Sequence, residues 1–167
     1  MPRLQRLRPD HAPALLEFER KNRAYFAASV PDRGDLYFAH FDERHRALLA
    51  EQSEGTCIFH LLVGDDGAVE GRVNLVDVAD GSAELGYRIA EKAAGRGLAT
   101  AAVREVCDLA ATEYGLTELR AVTTLDNAGS RAVLARTGFV PDGEVELDGR
   151  PGLRFVRKVR GAVTTAS

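Results

Sequence analysis

Apolar residues recur along this chain with two different periods, and the switches between them mark out its elements. Arg3-Leu-Gln-Arg-Leu-Arg8 alternates as a short first strand. Leu15, Phe18, Tyr25 and Phe26 then fall at helical spacing behind Asp10, a capping type, with Pro13 in the first turn. Pro31 and Gly34 make 27–34 a loop, and Phe38, Phe41, Leu48 and Leu49 predict a second helix over roughly 37–52. From Cys57 the period drops to two. Strands over Cys57–Val63, Ala68–Val78 and Ser82–Ile89, turning at Asp65-Asp66-Gly67 and Asp80-Gly81, form a three-stranded meander. A helix over Leu98–Tyr114 leads into a strand, Glu118–Leu125, and a short helix, Asn127–Arg136, stopped by Gly138. Two last strands, about Glu144–Leu147 and Leu153–Val159, flank Asp148-Gly149.

Composition narrows the class. With 167 residues, 45% of them hydrophobic and 28% charged, the chain suits one soluble domain over 1–160, with 161–167 as a flexible tail. A net charge of −3 supplies no basic stripe and argues against a nucleic-acid partner. No apolar run has the length of a membrane span, and the polar N-terminus has no signal-peptide core. The only cysteines, Cys57 and Cys107, read as small core residues in a reducing, cytoplasmic compartment. His11, His40, His45 and His60 have no metal-ligand spacing, so no metal is expected.

The chemistry concentrates at Ala94-Gly-Arg-Gly-Leu-Ala-Thr100, between the strand ending at Ile89 and the helix from Leu98. Glycines at a strand-to-helix junction leave main-chain N–H groups clear, and the positive end of the helix dipole backs them. Together they suit a phosphate or pyrophosphate. A plain turn before a helix has the same letters. A dinucleotide fingerprint would place its third glycine on Thr100 and use Asp126 as ribose acid, but it would lie mid-chain after hairpins. A mononucleotide P-loop lacks its Gly-Lys-Ser/Thr.

In order and spacing, Glu-Arg-Lys-Asn-Arg-Ala-Tyr-Phe (19–26), Gly-Arg-Val-Asn-Leu (71–75), Ala-Glu-Leu-Gly-Tyr-Arg-Ile (83–89), Gly-Arg-Gly-Leu-Ala-Thr (95–100) and Asp-Asn-Ala-Gly-Ser-Arg-Ala-Val-Leu-Ala-Arg-Thr-Gly-Phe (126–139) go together. With them the chain resembles the GNAT N-acetyltransferase superfamily, and within it the RimJ/RimL-like branch that acetylates protein N-terminal and other small amines. The resemblance implies an α/β (α+β) fold, a mixed, mostly antiparallel, splayed sheet flanked by about four helices. It implies transfer of acetyl from acetyl-CoA to a primary amine, on a protein N-terminus or a small molecule, by direct attack in a ternary complex. A homodimer is compatible with it. Two other classes stay open: a non-catalytic CoA-binding regulatory module, and a small nicotinamide-dependent oxidoreductase.

The superfamily signature, Gln/Arg-x-x-Gly-x-Gly/Ala, falls on Ala94 to Ala99, with Ala94 departing from the first position. Main-chain donors of Gly95, Arg96, Gly97, Leu98, Ala99 and Thr100 would carry the pyrophosphate, the Arg96 side chain adding charge. Tyr87, Arg88 and Ile89 would flank the pantetheine arm, which pairs with its strand as an added strand would. Asn127 serves as a helix cap and, by resemblance, as a pantetheine contact. Many members place a tyrosine seven residues after this asparagine to stabilise the leaving thiolate; here Leu134 occupies that position. Ser130, three residues after Asn127, takes the role in this branch. The attacking amine must lose a proton. Glu84 is the candidate base, with Glu144, Glu146 and Asp148 as runners-up; Arg72 or Arg88 are possible ion-pair partners for Glu84. The final strand, Leu153-Arg-Phe-Val, lacks the Asp-His pair of many branch members. Charges over 17–35 alternate too closely to indicate the acceptor.

Overall fold

The computed structural model describes residues 1–159, so the tail expected over 161–167 lies outside the described residues. A seven-stranded sheet has the order β1-β2-β3-β4-β5-β7-β6. Its strands are β1 (Arg3–Arg6), β2 (Ile58–Val63), β3 (Val69–Ala79), β4 (Ser82–Ile89), β5 (Glu118–Thr124), β6 (Val140–Leu147) and β7 (Arg150–Lys158). Neighbours pair antiparallel except β4 with β5, which run parallel. The helices are α1 (Ala12–Lys21), α2 (Arg23–Ala27), α3 (Asp35–Ala39), α4 (Phe41–Glu54), α5 (Leu98–Thr112) and α6 (Ala128–Arg136). These are six α-helices among the described residues, where the sequence suggested about four, because both early helical stretches break in two.

Layers form on both faces of the sheet. On one, Val103 and Val106 of α5 and Leu134 of α6 pack on Val73, Leu75, Leu85, Leu119 and Phe155. On the other, Leu15 and Phe18 of α1, Phe26 of α2, and Phe41 and Leu48 of α4 pack on Phe59 and Leu61. β2 therefore feeds both cores, Ile58 and Leu62 to the first and Phe59 and Leu61 to the second. Burying its apolar side chains on both faces accounts for its nearly unbroken apolar run. Cys57 and Cys107 are free and buried.

Three sequence expectations change. Asp10 does not cap the first helix: a short 3-10 turn, Pro9–His11, comes first and His11 stands at the N-cap without a side-chain cap. Asp10 pairs instead with Arg8, Oδ1 accepting from Nε at 3.0 Å. The helix expected over 37–52 is broken at His40, and Asp42 and Glu43 occupy the first turn of α4, where acidic side chains suit the dipole. The last hairpin begins earlier than Glu144, at Val140, with a register shift between Pro141 and Glu144.

Candidate active site

β4 and β5 share a ladder at only three positions, Ser82↔Glu118, Ala83↔Leu119 and Glu84↔Arg120. Beyond them β4 stays with β3 as far as Gly71↔Ile89, and β5 stays with β7 as far as Thr124↔Gly152. The strands thus diverge, leaving Leu85–Ile89 and Ala121–Thr124 facing each other across a wedge. A cavity of about 940 Å³ opens there, walled by both edges. That volume suits a large small-molecule ligand.

At the wide end of the wedge, Gly95 and Gly97 adopt φ of +78° and +74°, the left-handed region that glycine enters without steric cost. A Cβ at either would meet nothing within 4 Å, so the main chain is bare toward the cavity. Gly97 is the N-cap of α5 and offers no side-chain acceptor. The first hydrogen bond of that helix is Ala101 N–H to the Gly97 carbonyl at 3.0 Å. Among the described residues, no main-chain N–H from Gly95 to Thr100 has a protein acceptor. A run of unpaired donors at the positive end of a fifteen-residue helix fits a phosphate or pyrophosphate. Gly95, Gly97, Leu98, Ala99 and Thr100 all line the cavity. Arg96 does not; it is exposed.

Tyr87, Arg88 and Ile89 line the wedge from β4, and Asn127 and Ser130 line it from the start of α6. The Asn127 side chain accepts from the Ser130 N–H at 3.1 Å, so the helix cap is real. Burial pushes the Tyr87 phenol up, and the nearby Ser130 side chain draws it partly back. Both side chains line the cavity. Leu134, in the position of the family's tyrosine, is buried in the core.

Glu84 is not brought into the cavity wall. It occupies the last paired position, at the closed end of the wedge, and strand alternation puts it on the face opposite Leu85 and Tyr87. Nor do Arg72 or Arg88 pair with it. Both go to Glu19, whose Oε1 accepts from Arg72 Nη1 at 3.1 Å and whose Oε2 accepts from Arg88 Nη1 at 3.4 Å and Arg33 Nε at 2.9 Å. Glu19 is 1% exposed. Burial works against its charge, but Arg72 and then Arg33 outweigh it and hold the carboxyl below its usual range. Of the runner-up carboxylates, Asp148 lines the cavity, and Glu144 and Glu146 do not. Asp126, the ribose acid of the dinucleotide reading, pairs with Arg150, and the Thr124 hydroxyl and Arg150 both keep its carboxyl low.

The sequence reading assigned no site role to Tyr25, Phe26, Ser29, Val30 and Pro31, which also line the cavity. It also missed the burial of Glu19. One signal was available for the latter: Glu19 falls four residues after Leu15, on the apolar face of α1.

Residues 3–140 match the acetyltransferase (GNAT) domain. The chain belongs to the GNAT acetyltransferase family. YdaF of Bacillus subtilis (strain 168), whose name proposes ribosomal N-acetyltransferase activity, is 36% identical over 81 residues, 47% of this chain. That match spans 44% of YdaF, less than half its length. RimJ of Mycobacterium smegmatis, solved with CoA-disulfide, is 26% identical with a TM-score of 0.83, covering 93% of this chain and 80% of that one. Ribosomal-protein-S5-alanine acetyltransferase of Vibrio fischeri has a TM-score of 0.88 at 18% identity, covering 93% and 92%, a likeness of fold. The splayed sheet and bare glycine loop are thus those of a GNAT domain. Leu147, Asp148 and Arg150, which this GNAT protein adds to its cavity from the last hairpin, lie beyond the matched residues.

Proposed function

We propose that this GNAT acetyltransferase moves the acetyl group of acetyl-CoA to a primary amine, and that the amine is the N-terminus of a protein. The observation that carries the reading is the run of acceptor-free N–H groups over Gly95–Thr100, opening on a wedge walled by an unpaired strand edge. A pyrophosphate fits the first and an extended chain with amides fits the second. The CoA-bound RimJ supports the co-substrate, and the names of the ribosomal relatives support a protein amine. A small-molecule amine is the second reading. A cytoplasmic location goes with the reaction; among the described residues no helix is long and apolar enough to cross a membrane.

In this reading the main chain of Gly95 to Thr100 holds the pyrophosphate, and Tyr87 to Ile89 align the pantetheine with β4. Asn127 fixes the first turn of α6, so that Ser130 meets the thioester sulfur from a defined direction. As the amine nitrogen bonds the acetyl carbon, the carbon–sulfur bond breaks and charge gathers on sulfur. A hydroxyl donor there acts most in the transition state. The amine's proton leaves to a base. Asp148, the carboxylate in the wall, takes that role in this reading; Glu84 would need a chain of waters from the closed end.

Thermal shift with acetyl-CoA, CoA and NAD tests the first half, since a ligand of the native state raises Tm. The first two should stabilise and NAD should not; stabilisation by NAD alone overturns the reading. Mass spectrometry of N-terminal peptides and small amines tests the second. CoA binding without any acetylated product would make the protein a CoA-binding module. Asp148→Asn should lower kcat with acetyl-CoA affinity kept. A normal Asp148→Asn beside a slow Glu84→Gln would return the base to β4.

A further inference from the structure

The cluster around Glu19 holds one carboxylate and three guanidiniums, with its core out of water. Glu19 is 1% exposed and Arg72 3%, and the side chains of Arg88 and Arg33 are 21% and 27% exposed. Buried charges are ordinarily matched, because leaving water is costly. A structural pin tying α1 to β3 needs only Glu19 and Arg72. Within the cluster the charge is +2. Arg23, Asp32 and Asp35 form a separate exposed group in which one guanidinium takes two carboxylates, so they do not neutralise it.

Donors are also in excess. Arg72 Nε is buried without an acceptor. Arg88 has one bond, the long one to Glu19 at 3.4 Å, for a group with five N–H donors. It lies 4.9 Å from the Phe26 ring centroid, and Arg33 lies 4.9 Å from that of Tyr37, so aromatic faces orient both. Burial and then the neighbouring Arg33 push the Arg88 guanidinium down, and Glu19 offsets this only in part.

Arg88 is also the member of the cluster that lines the cavity. Its contacts are with α1 and α2, on the face of the sheet opposite α5, where the phosphate cradle lies. Beside it is Gly86, where a Cβ would meet nothing within 4 Å, and across the ladder from Gly86 is Asn74, whose buried Oδ1 has no partner. Gly86 and Arg88 both line the cavity, so the open space lies beside the Arg88 guanidinium on the side away from the cradle. We propose that it receives the acceptor, and that the acceptor carries a carboxylate close to its amine, bound by Arg88 with Arg72 and Arg33 behind it. The proposal rests on the amine-acetylation reading above.

Such a carboxylate has two sources, an acidic side chain near a polypeptide N-terminus or the α-carboxylate of a free amino acid. Paired acceptors separate them: C-terminally amidated peptides differing only as Asp or Asn at the second residue, and free amino acids against their amides. In wild type, kcat/KM should favour the carboxylate member of one pair about tenfold or more, through KM, and less so as salt rises. Arg88→Gln should bring that ratio close to one, and Arg88→Lys should restore part of it. Acetyl-CoA affinity, which draws on the main chain at this position, and thermal melting check each variant's fold. Wild-type ratios near one in both pairs, or a ratio that survives Arg88→Gln, overturn the proposal while leaving amine acetylation intact. No acetylation of any amine despite acetyl-CoA binding removes the function reading, and the proposal with it.

Discussion

His60 is a buried imidazole with both nitrogens engaged: Nδ1 donates to the Val73 carbonyl at 3.1 Å, and Nε2 accepts from the Tyr114 hydroxyl at 2.6 Å. Burial, the main cause, and nearby Arg6 push its pKa down to about 4, below the ordinary 6.5. The unfolded chain therefore binds a proton between these values that the folded one refuses. The stability His60 contributes is fully present above pH 6.5 and is lost as pH falls toward 4, about 2 kcal/mol of it by pH 5. Urea unfolding of wild type should show this slope, and His60→Phe should flatten it at some cost in absolute stability. Gly97 makes a second single-residue case. At φ +74° a branched side chain is strained by about 1–2 kcal/mol, and its Cβ would stand in the open space before the cradle. Calorimetric titration of folded Gly97→Val should show acetyl-CoA binding lost. Full affinity would mean the phosphate lies elsewhere.

Among the elements, α6 couples stability to chemistry, because the Asn127 cap that starts it also places Ser130. Asn127→Ala should cost about 1 kcal/mol in chemical denaturation and lower kcat as well. Loss of stability at full kcat would leave Asn127 a cap alone. Other elements show what a sequence discloses. The meander and its turns were legible, since period-two alternation and Asp-Gly turns are local signals. The break at His40 was not, because Phe38 and Phe41 keep helical spacing across it, while the His40 backbone leaves the helical region at φ −113° and ψ 30°. Pro141-Asp-Gly143 lies outside the strand expected from Glu144, yet it forms a bulge within β6, with Gly143 at φ +129°. The cradle was legible from its glycines and the helix behind them. The Glu19 cluster was not, because its partners Arg72 and Arg88 stand 53 and 69 residues further along and meet it only through packing.

At the scale of the molecule, two half-sheets, β1–β4 and β5–β7, are joined by three ladder positions and by the helices that cross them. Alternate β4 N–H groups from Leu85 to Ile89 point away from β3 and toward the wedge. Hydrogen exchange should find these fast in the free protein and slow with acetyl-CoA, while amides in β2 and β3 change little. Equal protection in both states would place the pantetheine off β4. The wedge also bears on time. If the co-substrate supplies the missing rungs, the sheet closes on loading and reopens on discharge. Each catalytic cycle then includes a small folding and unfolding event at the seam beyond Glu84. Departure of CoA and loosening of the seam become a single step, so variants that stiffen the apex should slow turnover even where every reacting group is untouched.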